Sequence, residues 1–299
     1  MEAMTITLAT PAAFRFRQTV CSHGWCLLPP FSYDDRERVL RRVEKLATGR
    51  AVRLCISSTD DKTSVQVLAE PDSGPLRRAD CRAIEQLVRV CLNIEQDIGP
   101  FYKAIRGMPR YRWVARAGAG RLLLSPTVWE DLAKTLLTTN IQWSGTLQMC
   151  RRLTALGERL ADGENCFPTA AQVAALPLKE LSGHIRAGYR APCLHEMATR
   201  IAEGQLAVEN WRGAEIPAAD LYRALRGIKG FGDYAAGHML RLLGRYDRLA
   251  IDTACRFAFR KQAGAGADAS DAAIQRHYEP FGPWRGMAQW MDVLRAYQS

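Results

Sequence analysis

The feature that most constrains this chain is residues 225–236, LRGIKGFGDYAA, where two helical patterns meet at a Gly-x-Gly turn. Gly230 and Gly232 permit backbone conformations that other residues avoid, and they let another molecule approach the main chain closely. A second helix is predicted to begin near Asp233, where its free N–H groups could hold a phosphate oxygen. An ordinary connection between two packed helices accounts for these residues equally well.

The second informative feature is Asp252, which follows the apolar run Leu249-Ala250-Ile251 and precedes another helical pattern. An aspartate in this position is commonly an N-cap, whose removal costs about 1 kcal/mol. A capping carboxylate beside an apolar wall is also a carboxylate held in a defined place. The sequence therefore predicts a helical hairpin followed closely by a positioned acid, and both roles of Asp252 stay open.

Together the two motifs resemble the helix-hairpin-helix DNA glycosylase superfamily, over most of residues 110–299 and more weakly before them. The resemblance implies an α+β fold that is mostly helical, with an N-terminal antiparallel β-sheet subdomain. It implies that Asp252 is the catalytic carboxylate. It also implies that the hairpin binds the DNA backbone through Gly230, Phe231, Gly232 and Asp233.

The hairpin also locates the position at which some members of this superfamily carry a catalytic lysine, and Tyr234 occupies it here. A lysine there would form a Schiff base with the sugar and cleave the strand, which tyrosine cannot do. The resemblance therefore implies a monofunctional enzyme. None of the nine cysteines forms a C-x-x-C pair, so neither an iron–sulfur cluster nor a metal site is expected.

A closer resemblance, to the 8-oxoguanine branch, rests on residues 181–191, LSGHIRAGYRA, and on residues 136–143, LLTTNIQW. It implies that a group of side chains fills the gap left by an extruded nucleotide and contacts the opposite base: Asn140, Ile141, Tyr189 and Arg190. Ile141 is the wedge residue if the alkylbase branch is the better guide. The 8-oxoguanine branch has an arginine for the opposite base at the position of Gly145 in this chain. A preference for cytosine opposite the lesion is therefore not predicted.

The same resemblance places three residues in the pocket for the damaged base: His238, Gln289 and Val293. Gln289 matches a glutamine that reads the base, whereas Val293 replaces an aromatic residue that would stack on it. These departures favour a lesion other than 8-oxoguanine, or a broader set of lesions. Trp290 is interpreted as a core residue, and Arg241 as one of several basic residues along a phosphate track.

Within residues 1–80, the stretches 5–10, 52–56 and 64–68 alternate as β-strands do, with a hairpin around Asp60-Asp61-Lys62 between the last two. Later residues have helical spacing. We predict a β-rich N-terminal subdomain at 1–105 and a helical region at 106–299, with the helix-hairpin-helix at about 217–243. Ser125 is expected to cap the helix that contains Trp129, because a proline and an acid follow it.

The net charge of +10 suits a polyanionic partner. We expect a monomer that binds double-stranded DNA containing a damaged base and needs no cofactor; a monovalent cation at the hairpin is compatible with the motif. No apolar run is long enough to span a membrane, and no signal peptide is read. A cytoplasmic location is expected, associated with the nucleoid if the source is bacterial.

The resulting hypothesis is a DNA glycosylase that flips out an alkylated or oxidised purine and hydrolyses its N-glycosidic bond. The alternative is a non-catalytic helix-hairpin-helix protein that recognises damaged or distorted duplex. A nuclease or ligase component is disfavoured, because no metal-binding acidic cluster stands out in the sequence.

Overall fold

A computed structural model describes residues 3–213, 215–264, 266 and 268–298 of the chain. The described residues form five strands: β1 Met4–Ala9, β2 Phe31–Asp34, β3 Val39–Lys45, β4 Ala51–Ser58 and β5 Ser64–Pro71. They also form fourteen α-helices: α1 Phe16–Val20, α2 Arg78–Cys91, α3 Gly99–Ala104, α4 Arg112–Ala117, α5 Val128–Thr138, α6 Trp143–Thr154, α7 Ala170–Ala174, α8 Leu178–Ile185, α9 Arg190–Ala202, α10 Ala218–Arg226, α11 Asp233–Leu242, α12 Thr253–Ala263, α13 Asp271–Tyr278 and α14 Arg285–Gln298.

The strands form one antiparallel sheet in the order β1-β5-β4-β3-β2. Alternate residues of β5 point into the core, and Val65, Val67 and Ala69 are fully buried. This period of two is the pattern from which strands were predicted in the N-terminal part. The hairpin around Asp61 is confirmed, since β4 and β5 pair on either side of it. The α+β architecture is also confirmed.

Strands β2 and β3 were not predicted, and β3 shows why. Its inward-facing Arg42 is 1% exposed, although arginine is rarely buried. Its guanidinium donates two hydrogen bonds to Glu130 of α5, at 2.9 and 2.6 Å. Lys134 lies 2.7 Å from the same carboxylate. The charged residues that make β3 look solvent-exposed are therefore neutralised by partners about ninety residues away.

The chain divides into two compact units, each made of two segments. Unit 1 comprises Met1–Glu95 and Arg121–Val208, and unit 2 comprises Gln96–Gly120 and Glu209–Ser299. This division differs from the predicted boundary at residue 105, which followed the change from strand to helix patterns. Helix α5 belongs with the sheet because its side chains pair with the strand region, as Asp131 does with Trp25 Nε1 at 2.7 Å.

The predicted helix that contains Trp129 is present as α5, but its predicted cap was wrong. Thr127, not Ser125, caps α5, and its hydroxyl accepts the N–H of Glu130 at 3.2 Å. Pro126 separates the two hydroxyl residues and favours an extended conformation just before it. The helical hairpin consists of α10 and α11, within the range predicted for it.

Candidate active site

The turn between α10 and α11 is a compact element of unit 2. Its N–H at Phe231 donates to the carbonyl of Ile228 at 3.0 Å, and both side chains are buried, at 3% and 2% exposure. Gly230 has a φ of +88°, which explains why glycine stands at this position. Arg226 closes the turn by donating to the Phe231 carbonyl at 2.7 Å. The turn is thus anchored by apolar side chains while its backbone stays accessible.

Helix α11 begins at this turn without a side-chain cap. Its N-cap is Gly232, which is exposed and extended, and no side chain among the described residues caps the first turn. The carboxylate of Asp233 accepts a hydrogen bond from Tyr222 at 2.7 Å and lies 3.1 Å from Arg226 Nε. These contacts hold the negative charge of Asp233 back along α10. An exposed helix start of this kind can bind a phosphate through its backbone N–H groups.

Asp252 is the N-cap of α12, as predicted, and its Oδ1 accepts the N–H of Cys255 at 2.7 Å. Burial raises the pKa of this carboxyl, while the N–H of Cys255 and the charge of Arg241 act to lower it. The side chain nevertheless remains partly accessible. The structure therefore provides a carboxylate that is fixed in direction and partly removed from water, which suits stabilisation of a developing positive charge.

The segment that leads to Asp252 is held by Gln289 of α14, which is 1% exposed. The Gln289 carboxamide accepts the N–H of Ala250 at 3.0 Å and donates to the Ala250 carbonyl at 2.9 Å. Its Nε2 also lies 2.8 Å from the Cys255 sulfur. Both ends of this amide are therefore engaged within the protein. A contact between Gln289 and a damaged base stays a prediction, and in this structure the residue is a brace.

Four side chains of unit 2 form a cluster that Gln289 links to the segment before Asp252. We call it the Arg241 cluster: Tyr234, His238, Arg241 and Trp290. Tyr234 stacks on His238 with 6.1 Å between ring centroids, and His238 meets Trp290 edge-on at 6.4 Å. The guanidinium of Arg241 lies over Trp290, 4.8 Å from the ring centroid. Tyr234 and Trp290 are partly accessible, whereas His238 and Arg241 are buried.

The cluster corrects two interpretations made from sequence. Arg241 is 3% exposed, so it cannot lie along a surface phosphate track. Trp290 is only partly buried and carries a buried cation on its face, so it is not a simple core residue. An arginine inside the apolar run of α11 was the signal available in the sequence. His238 and Val293 are both 6% exposed, and their contact with a base stays a prediction.

The predicted wedge residues of unit 1 lie at the end of α5 and the start of α9. Asn140 has a φ of +47°, and its amide donates to the Tyr189 hydroxyl at 3.2 Å. Ile141 is 44% exposed and Tyr189 is 49% exposed. Large apolar side chains at these exposures are suited to enter a gap between bases. The structure thus brings Asn140, Ile141 and Tyr189 together at one surface.

Arg190 is 5% exposed and faces the main chain below that surface. Its Nε donates to the carbonyl of Thr139 at 2.9 Å, and its Nη2 donates to the carbonyl of Asn140 at 3.0 Å. It therefore satisfies carbonyls at the C-terminal end of α5, as cations often do. A contact between Arg190 and an opposite base would need these hydrogen bonds to be exchanged, and it stays a prediction.

Gly145 leaves room for the side chain of Ile141, one of the predicted wedge residues. A Cβ at position 145 would come 2.6 Å from Cγ1 of Ile141, so a larger residue there would displace that side chain. The absence of an arginine at this position and the placement of Ile141 are therefore linked.

The described part of the chain contains no group of three or more His, Cys, Asp or Glu residues arranged to hold a metal ion. All nine cysteines are free thiols. None of the described helices is both long and apolar enough to cross a lipid bilayer.

Comparison with known proteins identifies the fold. No family model and no curated sequence matches the chain. Among solved structures, the 3-methyladenine DNA glycosylase of Archaeoglobus fulgidus is 19% identical, with a TM-score of 0.74 and 98% of each chain covered. The 8-oxoguanine glycosylase/lyase of Clostridium acetobutylicum, bound to double-stranded DNA with cytosine opposite the lesion, is 18% identical. Its TM-score is 0.74, with 99% of this chain and 98% of that chain covered.

A third structure, the 3-methyladenine DNA glycosylase of Schizosaccharomyces pombe bound to abasic DNA, matches over a shorter range. It is 18% identical, with a TM-score of 0.53, and the match covers 65% of this chain and 95% of that one. At such identities the likeness shows the fold alone. The first two matches extend over nearly the whole chain, so the shared fold includes the sheet of unit 1 as well as the helices of both units.

Proposed function

We propose that this chain, which has the fold of the helix-hairpin-helix DNA glycosylases, is itself a DNA glycosylase of base excision repair. It flips out a damaged purine, alkylated or oxidised, and hydrolyses the N-glycosidic bond with Asp252 as catalytic carboxylate. The observation that carries the proposal is the position of Asp252. The carboxylate is capped, braced and partly buried, and it follows directly on a hairpin with an open helix start.

The hairpin binds the DNA backbone in this proposal. The start of α11 holds a phosphate through main-chain N–H groups, which position the enzyme without reading sequence. Most of the excess positive charge of the chain belongs to unit 2, which contains the hairpin. Binding should therefore weaken steeply with salt, because phosphate contacts release counterions.

Base extrusion is the next step, since the glycosidic bond cannot be reached inside the duplex. Asn140, Ile141 and Tyr189 are exposed on unit 1 and fill the space that the base leaves. Unstacking costs a few kcal/mol and is cheapest for damaged or mispaired bases. The wedge therefore contributes to the selection of damaged sites.

Asp252 then acts on the sugar. As the glycosidic bond lengthens, positive charge develops on the deoxyribose, and the ionised carboxylate stabilises it. The same carboxylate orients or deprotonates a water molecule that adds to the sugar. Tyr234 cannot form a Schiff base, so the proposed product is an abasic site with an intact strand. The enzyme acts as a monomer and without a cofactor.

The test is excision from duplexes that each contain one lesion: 8-oxoguanine, 3-methyladenine, 1,N6-ethenoadenine, hypoxanthine or uracil. Base release with strands that break only after alkali supports the proposal and identifies the substrate. Strand breaks without alkali would contradict the monofunctional mechanism. Salt-sensitive binding to every duplex without release would favour the non-catalytic alternative.

A further inference from the structure

Arg241 is a buried charge that the proposed reaction does not yet use. It is 3% exposed, its Nη2 donates to Gln289 Oε1 at 3.2 Å, and its guanidinium lies over Trp290. Its Nε has no hydrogen-bond partner among the described residues. Burying a charge with so few polar partners is costly unless an opposite charge compensates it.

The hydrogen bonds of Gln289 connect Arg241 to the segment that carries an opposite charge. Gln289 connects Arg241 to the backbone of Ala250 and to the sulfur of Cys255. These two residues flank Asp252 on either side, so one amide links the guanidinium to the segment that carries the carboxylate. Burial lowers the pKa of Arg241; of the groups that raise it, the Tyr234 phenol comes first, and Asp252 is the carboxylate that does so among the described residues.

The other titratable groups that surround this pair are Tyr234 and His238 on α11, Tyr246 in the loop that follows, and Cys255 on α12. Burial raises the pKa of Cys255 to about 11, so that thiol is neutral at pH 7. Helix α14 contributes Gln289 and Trp290, which do not titrate. Burial lowers the pKa of Arg241 only to about 10, so the guanidinium keeps its charge at neutral pH.

We infer that Arg241 is a positioning residue that keeps the Asp252 carboxylate ionised inside its partly buried site. The expected effect on the excision rate rests on the proposed function, whereas the expected effect on the ionisation of Asp252 does not. Burial alone would favour the protonated acid, which cannot stabilise a cationic transition state. A fixed cation behind the carboxylate opposes that tendency and extends the ionised range toward lower pH.

The test replaces Arg241 with residues that keep its volume or polarity but remove its charge. Arg241→Met is close in size to arginine. Arg241→Gln retains a hydrogen-bond donor toward Gln289, and it serves as the second neutral variant if Arg241→Met unfolds. Arg241→Lys keeps the charge. Arg260→Gln is the matched control, since Arg260 lies on α12 but is exposed. Circular dichroism and thermal unfolding establish that each variant is folded.

Two readouts are measured between pH 4 and 8 for every variant. One is the single-turnover excision rate, and the other is the carboxyl carbon-13 NMR titration of Asp252, assigned with Asp252→Asn. In Arg241→Met and Arg241→Gln both midpoints should move upward by about 1 to 3 pH units. Arg241→Lys and Arg260→Gln should titrate like the unmodified chain.

An unchanged Asp252 midpoint in a folded Arg241→Met or Arg241→Gln variant would overturn the inference. So would an equal shift in Arg260→Gln, because any loss of positive charge would then suffice. The NMR titration does not depend on catalysis. If no lesion is excised, the proposed function fails while the link between Arg241 and Asp252 is still decided.

Discussion

The carboxamide of Gln289 hydrogen-bonds both main-chain groups of Ala250, accepting from the N–H at 3.0 Å and donating to the carbonyl at 2.9 Å. The Gln289 side chain thus takes the place of a neighbouring β-strand residue, which would form the same two hydrogen bonds through its main chain. It attaches the last helix of the chain to the segment just before Asp252. The direction of the proposed catalytic carboxylate is therefore set by a residue 37 positions away in sequence.

Replacing Gln289 with methionine should leave the N–H and carbonyl of Ala250 buried without a partner. Each such group costs about 1 to 3 kcal/mol, so the free energy of unfolding should fall by at least that amount. The excision rate should fall by more than the loss of folded protein accounts for, because the segment that positions Asp252 becomes less rigid. Urea unfolding and single-turnover kinetics measure the two effects. Gln275→Met on the exposed face of α13 is the control and should change neither.

Asp252→Asn separates catalysis from docking. The variant should lose about 10²- to 10⁴-fold in excision rate, because asparagine carries no charge to stabilise the sugar cation. Binding to lesion-containing duplex should persist, since the hairpin is untouched. Gel-shift binding at several salt concentrations, run beside the excision assay, provides the measurement. Excision at the unmodified rate would remove Asp252 from the mechanism.

The same substitution should stabilise the fold at neutral pH. Burial raises the pKa of Asp252, so the protonated carboxyl favours the folded state and that contribution is lost as pH rises through the raised pKa. Asparagine is permanently neutral and caps a helix as well as aspartate. Denaturant midpoints should therefore be higher for Asp252→Asn at pH 7 and converge with the unmodified chain in acid.

The sequence predicted this carboxylate because the signal was local: an apolar run, an acid and a helix pattern in succession. The hairpin was predictable for the same reason, since its glycines and the buried Phe231 all lie in the short stretch 225–236. The partners of these elements were not. The resemblance to the 8-oxoguanine branch predicts that Gln289 contacts the base. Nothing near Gln289 in the sequence shows that its amide also pairs with Ala250.

The burial of Arg190 and of Arg42 could not be predicted from sequence, for the same reason. Each arginine has a partner at least fifty residues away in sequence, Thr139 for Arg190 and Glu130 for Arg42. From sequence alone a charged side chain is expected at the surface. Long-range pairing reverses that expectation. Binary patterning therefore misses strand β3, and nothing in the sequence near Arg190 shows that it also binds carbonyls at the end of α5.

The two hairpin glycines should respond differently to alanine. Gly230 has a φ of +88°, so Gly230→Ala should cost about 1 to 2 kcal/mol of stability and weaken DNA binding. Gly232 is extended, and a Cβ there would meet only Arg226 at 3.9 Å. Gly232→Ala should therefore fold normally but still weaken binding, because its methyl group would meet the phosphate. Normal DNA affinity in a folded Gly232→Ala would show that DNA does not approach this turn.

Tyr189→Ser tests the wedge. Tyr189 is 49% exposed, but its hydroxyl accepts a hydrogen bond from Asn140, so its removal should lower the free energy of unfolding by about 1 kcal/mol. Base extrusion should slow, which a fluorescent base beside the lesion reports directly. Tyr297→Ser is the matched control, since Tyr297 is 66% exposed but belongs to unit 2 outside the proposed wedge. Equal extrusion rates in the two variants would contradict a wedge role for Tyr189.

The buried charge of Arg241 should also bias the choice of lesion. A base that reaches Asp252 enters the field of the guanidinium, and 7-methylguanine carries a positive charge in DNA whereas 8-oxoguanine does not. At an effective dielectric constant of about 20, two charges about 7 Å apart repel by about 2 kcal/mol, which corresponds to at least tenfold in rate. Arg241→Gln should therefore raise the ratio of 7-methylguanine to 8-oxoguanine excision by about that factor. The ratio is measured at a pH where Asp252 is ionised in both proteins. Any effect of the substitution on Asp252 then changes both excision rates equally and does not alter the ratio. An unchanged ratio would mean that the flipped base lies outside the field of Arg241, whose influence would then be confined to the carboxylate.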